Sequence, residues 1–116
     1  IRVALNTTNT VGLYQPTKLL YTLGNFSQFV RPGMKRLTIS RSDNLAETEA
    51  ITNLMVSAYL NESTNEVVYV VINPTASEKG IKLSVDKLLP NTNVSEFTPY
   101  ITTDNDKDNL KNIMTF

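Results

Sequence analysis

Across residues 21–37 the apolar spacing changes its period, and the change is sharply punctuated. Pro16 suits the first turn of a helix, where the N–H it lacks would have had no partner. Leu19, Leu23, Phe26 and Val30 then recur at helical spacing along one face, and such a face requires an apolar neighbour. Arg31-Pro32-Gly33 stops the helix, because Pro32 disfavours α geometry at Arg31 and Gly33 supplies backbone free to turn. Over residues 35–40 the period becomes two, with Leu37 and Ile39 alternating against Arg36 and Thr38 as in a half-buried strand. The chain must therefore fold first as a helix shaped to lie against something, then as a sheet.

The rest of the chain reads as strands and turns. Residues 2–5 are a short β-like run followed by the polar stretch 6–10. Residues 41–49 are polar and charged and read as a connection. A strand at 54–60, a five-residue loop at 61–65 and a strand at 67–72 predict a hairpin. Because 67–72 is apolar on both faces, it is expected at the centre of its sheet with both faces covered. Residues 73–80 carry turn chemistry around Pro74. Ile81, Leu83 and Val85 alternate with Lys82 and Ser84 as a strand with one wet face, and Leu88-Leu89-Pro90 closes that region. A weaker strand is expected at 93–98, a polar loop at 102–109 and a short final run at 113–116. Strands at this spacing, with no second helical segment, predict a mainly β chain: an antiparallel β-sandwich preceded by one amphipathic helix.

The junction resembles the exit from the last barrel helix into the side domain of glycoside hydrolase family 30, the glucuronoxylanase, glucosylceramidase and β-1,6-glycanase group. The resemblance is carried by Leu23-Gly24-Asn25-Phe26-Ser27, Phe29-Val30-Arg31-Pro32-Gly33 and Arg36-Leu37. Downstream, Ala58-Tyr59, Val70-Val71-Ile72-Asn73-Pro74 and Ile101-Thr102-Thr103 fall where that family's side-domain strands and turns are expected. It implies that residues 1–33 end a (β/α)8 barrel and that 34–116 form a β-sandwich side domain lacking its final strand. The parent would be a secreted, periplasmic or cell-surface retaining hydrolase of β-linked glycans, its two glutamates upstream of this helix. The chain itself would be a non-catalytic scaffold for that barrel, with auxiliary glycan contact. The alternative is a stand-alone carbohydrate-binding module. Phe26, Ser27, Phe29, Arg31, Pro32 and Gly33 would form the structural interdomain set, with Ser27 and Arg31 fixing the angle between barrel and side domain. The loop after residue 5 would rim the sugar cleft, which makes Asn6, Thr7 and Asn9 candidate glycan contacts.

Composition narrows the alternatives. Net charge is zero, so nothing electrostatic recommends a nucleic acid or an anionic membrane as partner. The absence of cysteine and histidine removes disulfides, thiol chemistry, imidazole-activated nucleophiles and the usual zinc ligands, and no cofactor is expected. No apolar run is long enough to span a membrane, and no signal peptide begins at Ile1, so the chain is expected to start within a larger protein. Abundant Asn, Thr and Ser fit an exported β-rich protein. The sequons at Asn6, Asn25, Asn61 and Asn93 are no more than such a composition yields by chance.

Four groups of residues are candidates for chemistry. Asp104, Asp106 and Asp108 have the alternate spacing that opens a calcium loop, but Asn109 and Thr115 stand where the sharp-turn glycine and the bidentate acid belong, which favours a solvated acidic turn. Glycoside hydrolysis needs two facing carboxylates with one held protonated; Glu47, Glu49, Glu62 and Glu66 all fall in polar surroundings that would raise no pKa. Sugar stacking requires an exposed ring. Among Tyr59, Tyr69, Phe97 and Tyr100, the best placed is Tyr100, the two strand tyrosines being expected in the core. Arg31, Lys35, Arg36 and Arg41 are the densest basic cluster and read as solvated or paired charges rather than a polyanion site. Self-association is expected through the uncovered helix face or an open sheet edge.

Overall fold

The computed structural model describes residues 2–5, 12–85 and 96–113, the two strands before Pro16 by their backbone. Asn6, Thr7, Asn9, Leu88-Leu89-Pro90, Asn93 and Thr115 lie outside the described residues, as does most of the run 113–116. The chain forms a small mixed α/β architecture of short antiparallel sheets and two helices, and none of its sheets closes into a barrel among the described residues. It divides into two compact units, residues 1–29 with 95–116 and residues 30–94.

The first unit begins with β1 (Arg2–Leu5), as the β-like run predicts, paired antiparallel with β2 (Gly12–Gln15), which hydropathy did not mark. Helix α1 (Lys18–Ser27) follows, with Thr17 in extended geometry at its N-cap. The helix ends earlier than its apolar period implied. Gln28 is the C-cap and the N–H of Phe29 bonds to the carbonyl of Phe26, a tightened last turn that leaves Phe29 and Val30 beyond the helix. The face carrying Leu19 and Leu23 is open, at 62% and 61% exposure; the buried residue of the helix is Gly24. Strands β6 (Tyr100–Ile101) and β7 (Lys111–Asn112) complete the unit as a hairpin across the polar loop 102–110.

The second unit opens with a turn. The N–H of Met34 bonds to the carbonyl of Arg31, Pro32 takes the first central position and Gly33 the second, with φ of 92°, the arrangement of a type II turn. Strand β3 (Lys35–Leu37) leaves it and pairs with β4 (Met55–Asn61), which pairs in turn with β5 (Glu66–Ile72), all antiparallel. The β4–β5 hairpin matches the expected pair of strands, with its loop shortened to residues 62–65 because Asn61 still pairs with Glu66. Asn61 Oδ1 accepts from the N–H of Ser63, and Asn65 takes the left-handed conformation (φ 55°) that a short polar side chain tolerates.

The structure corrects three expectations. Strand β4, not the 67–72 strand, is central among the described residues, because β3 takes the other side of β4. The apolarity of β5 on both faces reflects cover above and below: Val70 is buried on one face and Tyr69 half-buried on the other. Residues 81–85 join no ladder. Leu83 and Val85 are half-buried while Lys82 and Ser84 are exposed, so the alternation correctly marks which side is covered without implying backbone pairing. The connection 41–49 also contains a short helix, α2 (Glu47–Ala50), whose first turn is closed by the N–H of Ala46 donating to the Glu49 carboxylate (3.1 Å). The core of this unit is small: Ala50, Ala58, Leu60 and Val70 are its buried apolar residues among those described.

Candidate functional site

In the first unit the loop between β6 and β7 lies against α1, and Tyr100 of β6 meets Phe29 just beyond the helix. At one end the rings of Phe29 and Tyr100 pack with centroids 4.8 Å apart and planes tilted by 43°. This brings together a residue predicted as interdomain and the residue predicted to stack on sugar. Tyr100 keeps 38% of its surface exposed, so one ring supports the other and leaves it accessible. In the middle, Leu110 covers Gly24 so closely that a Cβ there would lie 2.6 Å from its Cδ1. At the helix start, Lys18 Nζ donates to the carbonyl of Asn105 (2.7 Å) and to Asn109 Oδ1 (2.5 Å).

The loop between these strands is built from short polar side chains bonding to nearby backbone, the alternative to regular structure that Thr, Asn and Asp offer. Thr102 Oγ1 accepts from the N–H of Leu110 (2.9 Å) and Thr103 Oγ1 from that of Asn105 (3.1 Å). Thr103 Oγ1 donates to Asp108 Oδ2 (3.0 Å), and the backbone closes the loop between the Thr103 N–H and the Asp108 carbonyl (3.1 Å). Of the alternate aspartates, Asp104 and Asp106 are exposed, while Asp108 is half-buried and also meets Lys111 at 3.4 Å. No group of three or more metal-ligating side chains gathers among the described residues. Two ammonium groups meet this loop, Lys18 at Asn105 and Asn109 and Lys111 at Asp108.

In the second unit a half-open cleft of about 410 Å³ lies on one face of the sheet. Its floor is the cross-strand row Leu37, Ala58 and Tyr69, and residues 82–85 form one wall. The Tyr69 hydroxyl donates to the carbonyl of Ser84 (2.9 Å), which commits that ring to holding the wall in place. Tyr59 and Phe97 are half-buried.

The expected basic cluster is dispersed. Lys35 pairs with Glu62 at 2.8 Å, while Arg31 and Arg36 are exposed. Arg41 grips Asp43 through two bonds (2.8 and 2.7 Å) and donates a third to the carbonyl of Leu54 (2.7 Å), fastening the connection to the start of β4. Hydrogen bonds from the Arg41 guanidinium hold the Asp43 carboxyl down to about 2, aided by the N–H of Leu45, and the same contact raises Arg41. Of the four glutamates considered for acid–base work, Glu49 caps α2, Glu62 meets Lys35, Glu66 accepts from Thr64 (3.4 Å) and Glu47 is exposed. The sequon residue Asn25 is half-buried on α1, with Nδ2 donating to the carbonyl of Tyr21 (3.1 Å).

Among the other predicted structural residues, Phe26 (36% exposed) and Ser27 lie on α1, and Arg31, Pro32 and Gly33 form the exposed turn that starts the second unit. The sequence reading did not single out Lys18 or Leu110. Lys18 carried a signal all the same, a cation in a first helical turn that contains no acid. No helix among the described residues is long and apolar enough to cross a membrane. Comparison with protein-family models, curated proteins and solved structures finds no match for this chain.

Proposed function

We propose that this chain is the non-catalytic C-terminal part of a family 30-like glycoside hydrolase, one whose secreted parent cleaves β-linked glycans with retention. In this reading it scaffolds the catalytic barrel. The observation that carries the proposal is the open apolar face of α1, Leu19 and Leu23 with Phe26 beside them, followed at once in the chain by the Pro32-Gly33 turn and an antiparallel sheet. Exposed apolar residues on one helix face mark a docking surface, and a barrel's flank supplies an apolar partner of matching shape. A sandwich is supported by the half-buried Leu83 and Val85, which line the cleft on one face of the three-stranded sheet, where a second layer would lie.

The second reading, a stand-alone carbohydrate-binding module, is favoured by the exposed Tyr100 ring seated on Phe29. Isothermal titration with xylan, β-1,6-glucan and galactan oligosaccharides separates the two. A scaffold gives no saturable heat, whereas a module saturates and loses binding in Tyr100→Ala. The barrel assignment is tested separately by the coding sequence preceding Ile1. It should specify alternating strands and helices with two glutamates at strand ends, and any other architecture there would overturn it.

A further inference from the structure

Two features of the first unit break local rules, and both meet at one loop. Lys18 puts a cation in the first turn of α1, the end where the helix dipole disfavours positive charge, with no acid in that turn to offset it. Leu110 has φ of 50°, a left-handed conformation that a bulky residue adopts only when its surroundings impose it. Local conflicts of this kind are resolved by tertiary contacts.

We infer that residues 102–110 form a strap latched onto α1 by the Lys18 ammonium, and that opening the latch releases the β6–β7 hairpin that carries Tyr100. Lys18 Nζ supplies the loop with the positive charge its oxygens converge on, binding the Asn105 carbonyl and Asn109 Oδ1. That hold seats Leu110 over Gly24, with the N–H of Leu110 bonded to Thr102 Oγ1. The seated strap fixes the loop end of a hairpin only two residues long on each side, too short to persist by its own ladder even with the N–H of Ile113 bonded to the carbonyl of Pro99 beyond its other end. Tyr100 is the first residue of that hairpin, so its packing on Phe29 depends on the latch. Lys18 is thus a positioning residue for the aromatic platform, and this role stands whether or not Tyr100 meets a sugar.

The strap and the helix respond to loss of the latch in opposite directions, which makes the inference testable on the full chain by amide hydrogen exchange. In Lys18→Met, the Thr103, Asp108 and Leu110 amides should exchange at least about 10-fold faster, because two charge-assisted bonds are gone. The amide of Leu20, bonded to the carbonyl of Thr17 in the first turn of α1, should exchange no faster, since the unfavourable charge has left the helix end. The β4–β5 amides serve as the internal control for folding, and Lys18→Arg, which keeps charge and donors, should restore most of the loop's protection. Asn109→Ala removes one acceptor of the latch, together with the bond from Asn109 Nδ2 to the Asp106 carbonyl, without touching the helix and should loosen the same three amides. Unchanged loop exchange in both Lys18→Met and Asn109→Ala overturns the inference. So does equal acceleration of loop and helix, which would mean that Lys18 supports α1 itself, or protection of the wild-type loop by added calcium, which would mean that the ammonium does not fill it.

Discussion

Adding one methyl group at Gly24 sets two effects of known sign against each other. Replacing glycine by alanine in a helix interior stabilises the helix by about 1 kcal/mol, because glycine loses more backbone freedom on folding. At Gly24 the new Cβ would lie 2.6 Å from Leu110 Cδ1 and 3.6 Å from its Cγ. Carbon atoms attract best at about 3.5–4.0 Å, so the nearer contact is roughly an ångström too short. With its backbone fixed by the left-handed conformation and by the bond from its N–H to Thr102 Oγ1, Leu110 can relieve the contact only by turning χ1 or χ2, which lifts its side chain off the helix it covers and forfeits that packing. Overpacking of this kind costs about 1–3 kcal/mol, so Gly24→Ala should come out destabilised by roughly 1 kcal/mol. In a Leu110→Ala background the obstruction is gone and the same substitution should stabilise by about 1 kcal/mol, a coupling of roughly 2 kcal/mol between the sites. Urea denaturation of the four proteins, compared at constant m, measures it. If Gly24→Ala alone is more stable than the parent, or the coupling is below about 0.5 kcal/mol, Leu110 does not pack on the helix as described.

Three further outcomes are expected. The Asp43 carboxyl should titrate near 2 by carbon-detected NMR and return to the usual carboxylate range in Arg41→Met. Because its folded pKa is depressed, its stabilising effect is fully present above the unfolded value of about 4 and disappears as pH falls through about 2, so the stability difference between parent and variant should narrow across that window to what the Arg41 bond to the Leu54 carbonyl contributes. Gly33→Ala meets no atom within 4 Å, so its cost is the backbone strain of φ 92° alone, about 1 kcal/mol by thermal or urea unfolding; a neutral result would mean that the turn relaxes. Lys35→Met should change stability by less than about 0.5 kcal/mol, since both partners of the Lys35–Glu62 pair are well exposed, and a loss several times larger would show that the pair organises the sheet.

The unevenness with which the sequence announced this structure follows from what periodicity measures. Hydrophobic alternation reports which faces of a segment are covered. It located the β4–β5 hairpin to within a residue or two, because Met55–Asn61 and Glu66–Ile72 pair along their whole length. It overreached at 81–85, where Leu83 and Val85 are covered by contact with the sheet face and no ladder exists, and it made β5 central when β4 is. Helix α1 was legible from its spacing, while its early end at Ser27 was not, since Val30 continues the period beyond the last helical residue.

The candidate site divides along the same line. Tyr100 was singled out as the exposed ring because the strand tyrosines were expected in the core, but its partner Phe29 lies 71 positions away in the chain, and no local pattern could join them. Lys18 contacts Asn105 and Asn109 across separations of 87 and 91 residues and surfaced in the sequence only as a charge at the wrong helix end. Local spacing and turn chemistry by themselves determined that a helix with one apolar face leads through Pro32-Gly33 into an antiparallel hairpin, because these depend on neighbours within a few residues. Only the tertiary structure decided that the helix buries Gly24 rather than Leu23, and that the acidic loop closes on a lysine: such choices depend on which distant groups arrive and on the space that a missing side chain leaves for them.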